Sequence, residues 1–129
     1  MDVFKTHGAF SWNELQTTDP ESARAFYCAL FGWGSRDMIL PRGAYTTFQV
    51  GDTSVAGMMK IAPHATDVRP AWGCYITVDD VEVTCRRAEE LGGRVVLPPT
   101  DLPGIGRMAV LQDPQGATVS IISYTAPDA

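Results

Sequence analysis

Basic residues are scarce and scattered: ten Lys and Arg stand against fifteen Asp and Glu, for a net charge of -5. Binding to phosphates needs clustered Lys and Arg, so neither a nucleic acid nor an anionic membrane is an expected partner. No apolar run reaches the ~18 residues of a membrane-crossing helix. The opening Met1-Asp2-Val3-Phe4-Lys5 has no apolar core of a secretory signal. Histidine occurs twice, as His7 and His64. Cysteine occurs three times, as Cys28, Cys74 and Cys85, an odd number spread over predicted regular elements. Buried free thiols in a reducing compartment are expected rather than disulfides, and with them a cytoplasmic protein. What remains is a globular composition, 45% hydrophobic and 19% charged over 129 residues, which suits a single domain.

An internal repeat organises the chain. Asp19-Pro20 opens a helix that stops at Gly32, and Asp79-Asp80 opens another that stops at Gly92-Gly93. The spacing from Asp19 to Gly32 and from Asp79 to Gly92 is 13 residues in each case. Polar turns then recur, Gly51-Asp52-Thr53 in the first half and Asp113-Pro114-Gln115-Gly116 in the second. Two copies are too few for a solenoid, so the pattern predicts a pseudo-twofold duplicated domain.

Taken in order, residues 1–8 read as a loosely held lead-in. Residues 9–17 alternate as a strand, with Phe10, Trp12, Glu14 and Gln16 on one face and Leu15 on the other. The first helix spans residues 20–31, capped by Asp19, with Ala23, Phe26, Tyr27, Leu30 and Phe31 as one apolar stripe. Three strands follow, near 33–40, 45–50 and 54–60, with Pro41-Arg42-Gly43 as one of the turns. Residues 61–70 form a connection. The second half opens with a strand near 72–78 and a helix near 80–91, whose buried stripe is Val81, Cys85, Ala88 and Leu91. A strand over Arg94–Leu97 is stopped by Pro98-Pro99, residues 100–106 form a flexible loop, and strands 107–112 and 117–124 pair as a hairpin. The class is α+β: two βαβββ modules, about 8–60 and 71–124, with mostly antiparallel curved sheets enclosing a cleft.

Several residues are candidates for lining that cleft. Trp12 and Trp72 are either stacking platforms for a planar ligand or core packing. Glu14, two positions from Trp12 on the same face, is a polar anchor, a general base, or an exposed carboxylate. Met58 or Met59 supplies adaptable apolar surface. Arg107 could hold an anionic group or stand in solvent at a strand end. Gly57 and Gly73 permit close approach of sheets.

Together the motifs are similar to the vicinal oxygen chelate superfamily, which includes glyoxalase I, extradiol dioxygenases, methylmalonyl-CoA epimerase and bleomycin-resistance proteins. The carrying residues are Leu15-x-x-x-Asp19 before Phe26-Tyr27-x-x-Leu30-Phe31-Gly32-Trp33, Val78-Asp79-Asp80-Val81 before Leu91-Gly92-Gly93, and Asp113-Pro114-Gln115-Gly116 before the last strand. The resemblance implies a divalent metal on four strand positions. Here those positions fall on Trp12, Ala56 or Gly57, Gly73 and Ser120, none a good metal ligand.

The expected function is therefore a metal-free, cofactor-free binding protein that sequesters an apolar or aromatic small molecule, as bleomycin-resistance proteins do. Its ligand-lining set is Trp12, Glu14, Phe48, Met58, Trp72, Tyr75, Arg107 and Ser120. The alternatives are an enzyme of the same fold, a metal-dependent lyase, isomerase or dioxygenase, and a regulatory domain with a vestigial cleft. Unpaired strand edges and apolar helix surface predict a homodimer.

Overall fold

A computed structural model describes every residue except Arg42, Thr66 and residues 126–129. The chain forms two compact units, one of Trp12–Gly73 and one of Met1–Ser11 with Cys74 onward. They are called the first and second modules below. The elements run β1 (Phe10–Thr17), α1 (Pro20–Phe31), β2 (Gly34–Leu40), β3 (Gly43–Val50), β4 (Thr53–Lys60), β5 (Ala71–Thr77), α2 (Val81–Glu90), β6 (Arg94–Leu102), β7 (Gly106–Gln112) and β8 (Thr118–Tyr124). The turn expected over Pro41-Arg42-Gly43 and the connection 61–70 each include a residue outside the described set.

The two modules repeat one plan. Strand order is β2-β3-β4-β1 in the first and β6-β7-β8-β5 in the second. In each, the hairpin strands pair antiparallel, and the strand before the helix joins the last strand in parallel. This is the α+β, βαβββ duplication that the repeat predicted.

Local chemistry explains both helices. The Asp19 carboxylate accepts from the Ser22 backbone N–H (3.1 Å) and the Ser22 hydroxyl (2.7 Å), which satisfies donors left orphaned at a helix start. These bonds, the hydroxyl first, hold the Asp19 carboxyl below its ordinary range. Pro20 takes the first helical position, where its missing N–H costs nothing. Gly32, at φ +71°, ends α1 by donating to the Cys28 carbonyl. Asp80 caps α2 by accepting from the Val83 N–H at 3.0 Å.

Each helix covers one face of its own sheet. Under α1 the core is Leu15, Phe48, Ala56 and Met58, with Ala23, Tyr27, Cys28 and Trp33 packed against it. Under α2 it is Val78, Val81, Cys85, Ala109, Leu111 and Ile121. Full burial of one such apolar side chain is worth ~1.5–3 kcal/mol, so these clusters drive helix docking. Burial also pushes the Cys85 thiol up, keeping it protonated.

Three expectations are corrected. The lead-in is tied down within the second module: the Gly8 N–H donates to the Thr77 carbonyl and the Thr77 hydroxyl to the Val3 carbonyl. The ring of Phe4 also meets Tyr124 edge-on. Next, β6 does not stop at Pro98-Pro99 but runs on to Leu102, absorbing part of the predicted flexible loop. It is an edge strand with register shifts around Leu97, where a residue lacking an N–H breaks no essential ladder bond. Finally, Leu91 follows the helix rather than completing its stripe and is 62% exposed.

Candidate functional site

Period-two alternation decides which predicted residues can meet. In the first module Leu15, Phe48 and Met58 share the face under α1; Phe48 is 0% and Met58 1% exposed. Both were expected to line a cleft, and both are instead packing residues. Glu14 pairs in register with Gly57, which pairs with Thr47, so these three lie on the opposite, helix-free face. Trp12, two residues before Glu14, and Tyr45, two before Thr47, join them there.

That face carries a directed chain of hydrogen bonds. Trp12 Nε1 donates to the Tyr45 hydroxyl at 3.0 Å. The Tyr45 hydroxyl donates in turn to Glu14 Oε2 at 2.8 Å. Glu14 is buried, whereas Trp12 and Tyr45 are half-buried. The ring of Tyr45 reaches Glu14 by crossing β4 at Gly57. A Cβ built at Gly57 would lie 1.7 Å from Tyr45 Oη and 2.3 Å from its Cζ. Gly57 therefore makes room for a phenol ring, not for a neighbouring sheet. Reading the sequence alone missed Tyr45. Its signal was available: it alternates onto the Glu14 face, one strand beyond a glycine.

The other predicted residues go elsewhere. Trp72 is exposed and donates from Nε1 to the Tyr27 hydroxyl (3.1 Å), with its ring edge-on to Tyr27 and Trp33. It belongs to the aromatic surroundings of α1, not to the Trp12–Tyr45–Glu14 chain. In the second module, buried Tyr75 and half-buried Ser120 are register partners across β5 and β8. Arg107 alternates with Ala109 and Leu111, which puts it on the α2 side of that sheet. There its guanidinium pairs with Glu82 and donates to Asp101 at 2.7 Å. Those two bonds, the one to Asp101 first, raise its already high pKa. Arg107 is a clamp between β7, β6 and α2 rather than a holder of an anionic ligand.

A groove of about 610 Å³ also opens in the second module, walled by the lead-in (Asp2, Phe4, Lys5), the end of β5 (Thr77 to Asp79) and Ser123–Thr125. Burial raises the pKa of Tyr124 there, while a 2.8 Å hydrogen bond with Ser11 works the other way. No sequence-predicted ligand residue lines this groove.

The strand positions that the resemblance assigns to a divalent metal carry poor donors. Gly57 and Gly73 offer no side chain, Ser120 only a neutral hydroxyl, and Trp12 an N–H without a lone pair. Among the described residues no group of three or more His, Cys, Asp or Glu could hold a metal ion. No helix among them is long and apolar enough to cross a membrane.

A duplicated α+β domain of this topology, with helices on one side of each sheet and a polar chain on the helix-free side, defines a fold class. The chain belongs to the Glyoxalase/Bleomycin resistance protein/Dioxygenase superfamily, whose profile matches residues 9–121. It is 40% identical over 116 residues to the Mycobacterium bovis protein named "Putative glyoxylase CFP32". It is 39% identical over 121 residues to the "Anthracycline biosynthesis protein DauV" of Streptomyces sp. strain C5. These matches take in 89% and 94% of this chain but only 44% and 43% of the relatives, so the chain spans less than half their length. Methylmalonyl-CoA epimerase from Mycobacterium tuberculosis shares the fold, with a TM-score of 0.64 and 16% identity over 92% of this chain and 89% of that one.

Proposed function

We propose that the protein binds and sequesters an apolar or aromatic small molecule on the Trp12–Tyr45–Glu14 face, without metal or cofactor. The observation that carries this reading is the hydrogen-bonded chain from Trp12 through Tyr45 to buried Glu14. An indole held at a fixed tilt offers stacking area, and a fixed phenol and carboxylate offer polar anchors. Sites for small molecules pair a mostly apolar lining with a few such anchors. A relative named for anthracycline biosynthesis makes planar polycyclic aromatics the first probes. The cytoplasmic setting goes with this reading, because a reducing compartment keeps three free cysteines reduced.

The test is titration with an anthracycline, followed by thermal shift and by quenching of tryptophan emission. Trp12→Ala is expected to weaken binding by ~1–3 kcal/mol, about 5- to 150-fold, with little change in melting temperature. If Trp12 is core packing instead, the same variant loses several kcal/mol of stability (~3–5 for a buried tryptophan) and has no binding to lose.

A second reading draws on the same Tyr45–Glu14 bond. A hydroxyl donor and a carboxylate acceptor set side by side are the parts of an acid–base pair, so Glu14 would act as general base of a lyase or isomerase. Turnover abolished by Glu14→Gln with ligand binding retained would favour it. Stoichiometric Zn, Ni, Mn or Fe that survives dialysis would overturn the metal-free reading.

A further inference from the structure

Register carries the helix-free face of the first module beyond the Trp12–Tyr45–Glu14 chain. Arg36 of β2 pairs with Thr47 of β3, Thr47 with Gly57 of β4, and Gly57 with Glu14 of β1. Residues directly opposite on paired strands share a face, so these four form one row across the sheet. The row beside it, two residues along each strand, holds Met38, Tyr45 and Met59. The next residue of β2 fixes its facing independently. Asp37 reaches Arg24 of α1 and accepts from the Thr46 hydroxyl at 2.9 Å, so it points to the helix side and Arg36 to the other.

Arg36 is exposed, and among the described residues no carboxylate pairs with it. Arg24 and Arg107, by contrast, are engaged by Asp37 and by Glu82 with Asp101. Its register partner Thr47 is buried and accepts from Gln49 Nε2 at 2.6 Å, which leaves the hydroxyl proton of Thr47 to donate. The row therefore has a polarity. Two donors, a guanidinium and a hydroxyl, stand side by side on β2 and β3, and a buried carboxylate stands at the β1 end.

We propose that Arg36 and Thr47 hold an anionic group of the small molecule bound on this face, so that the ligand is an aromatic acid rather than a neutral aromatic. The inference rests on the binding reading above and adds the ligand's charge to it. Three strand spacings of ~4.8 Å put about 14 Å between the Cα atoms of Arg36 and Glu14. At that separation Glu14 does not neutralise Arg36, whereas a planar molecule lying across β3 and β4 meets both ends. A carboxylate on the molecule accepts from the guanidinium fork, whose planar geometry it matches, and from the Thr47 hydroxyl. The body lies over Met38, Tyr45 and Met59, where thioethers adapt to an aromatic edge. The far end presents an O–H or N–H to Glu14, since a carboxylate only accepts. An arginine without a role is equally at home in water. Arg36 differs by standing in register with a buried hydroxyl whose proton is unspent, on the row that ends at Glu14.

An anthraquinone carboxylate and the matching carboxamide share one planar body and differ in charge at neutral pH. Titration followed by tryptophan quenching should give the carboxylate a dissociation constant lower by about tenfold, the scale of one charge-assisted contact at a partly wet site. That preference should shrink as salt rises from about 0.01 to 1 M, where the Debye length falls from ~30 to ~3 Å. Arg36→Gln should remove most of the preference by weakening the carboxylate alone. Arg36→Lys should keep part of it, because lysine retains the charge but not the fork. Neither variant should move the melting temperature, as the side chain is exposed. Equal affinities in the wild type overturn the proposal, as does a preference that survives Arg36→Gln. The binding reading fails separately. If Trp12→Ala weakens both compounds alike while Arg36→Gln changes neither, the face binds planar aromatics and only the charge assignment falls. Binding of neither compound overturns both.

Discussion

Replacing Gly57 with alanine tests the geometry of the candidate site at one carbon atom. Gly57 lacks the positive φ that would make an L-residue strained, so its backbone accepts alanine. The obstacle is the ring of Tyr45. The new Cβ would sit 1.7 Å from Oη, 2.3 Å from Cζ and 2.8 Å from Cε1. A phenol ring cannot bend away from a contact over three atoms, so it must swing off β4. Doing so breaks its bonds to Trp12 Nε1 and Glu14 Oε2 together. Overpacking costs ~1–3 kcal/mol, and disrupting hydrogen bonds to a buried carboxylate adds ~1–3 kcal/mol, so Gly57→Ala should destabilise by about 2–6 kcal/mol. At ~3–5 °C per kcal/mol for a domain of this size, the melting temperature should fall by roughly 6–30 °C. The cause is isolated by a double-mutant cycle with Tyr45→Ala. In that background the space above β4 is open, and Gly57→Ala should cost less than ~1 kcal/mol. Equal costs in both backgrounds would refute the argument, since the ring could not then be what alanine meets.

Three other outcomes follow from the fold. Arg107→Met should lower the melting temperature modestly and leave ligand affinity unchanged, because the guanidinium is engaged by Glu82 and Asp101; an affinity loss without a stability loss would restore it to the binding face. Asp19 has a folded pKa below its ordinary 3.8, so its stabilisation is complete above that value and is lost as pH falls through the folded one; chemical denaturation between pH 5 and 2 should show a smaller acid loss for Asp19→Asn, whose amide still caps the helix. Under native conditions a thiol reagent should modify exposed Cys74 quickly and buried Cys85 only on unfolding, as mass spectrometry of digested samples would show.

The fold was legible because its signals are local. Asp19-Pro20 and Gly32 mark the ends of α1 by backbone chemistry that needs no tertiary partner, and the same holds for Asp80 before α2. The repeat then extends the reading from one module to the other. Less was visible where a neighbour decides. Pro98-Pro99 looks like a stop until β6 is known to be an edge strand, where missing N–H groups face no partner.

The site shows the same limit more sharply. Alternation correctly put Trp12 with Glu14 and set Leu15 apart, because both statements concern a single strand. It could not say that Phe48 and Met58 share the Leu15 face, since that depends on the register of β3 and β4 against β1. Nor could it reveal that the glycine across from Glu14 is a passage for Tyr45. A glycine in a strand has several uses, and only the cross-strand neighbour selects one of them. The α1 stripe fails in the opposite direction. Five apolar positions at helical spacing make one apolar stripe in the sequence, yet a helix lying on one sheet can bury only the side that touches it. Phe26, Leu30 and Phe31 fall outside that contact. An apolar stripe wider than the surface beneath it is a reason to look for a second surface.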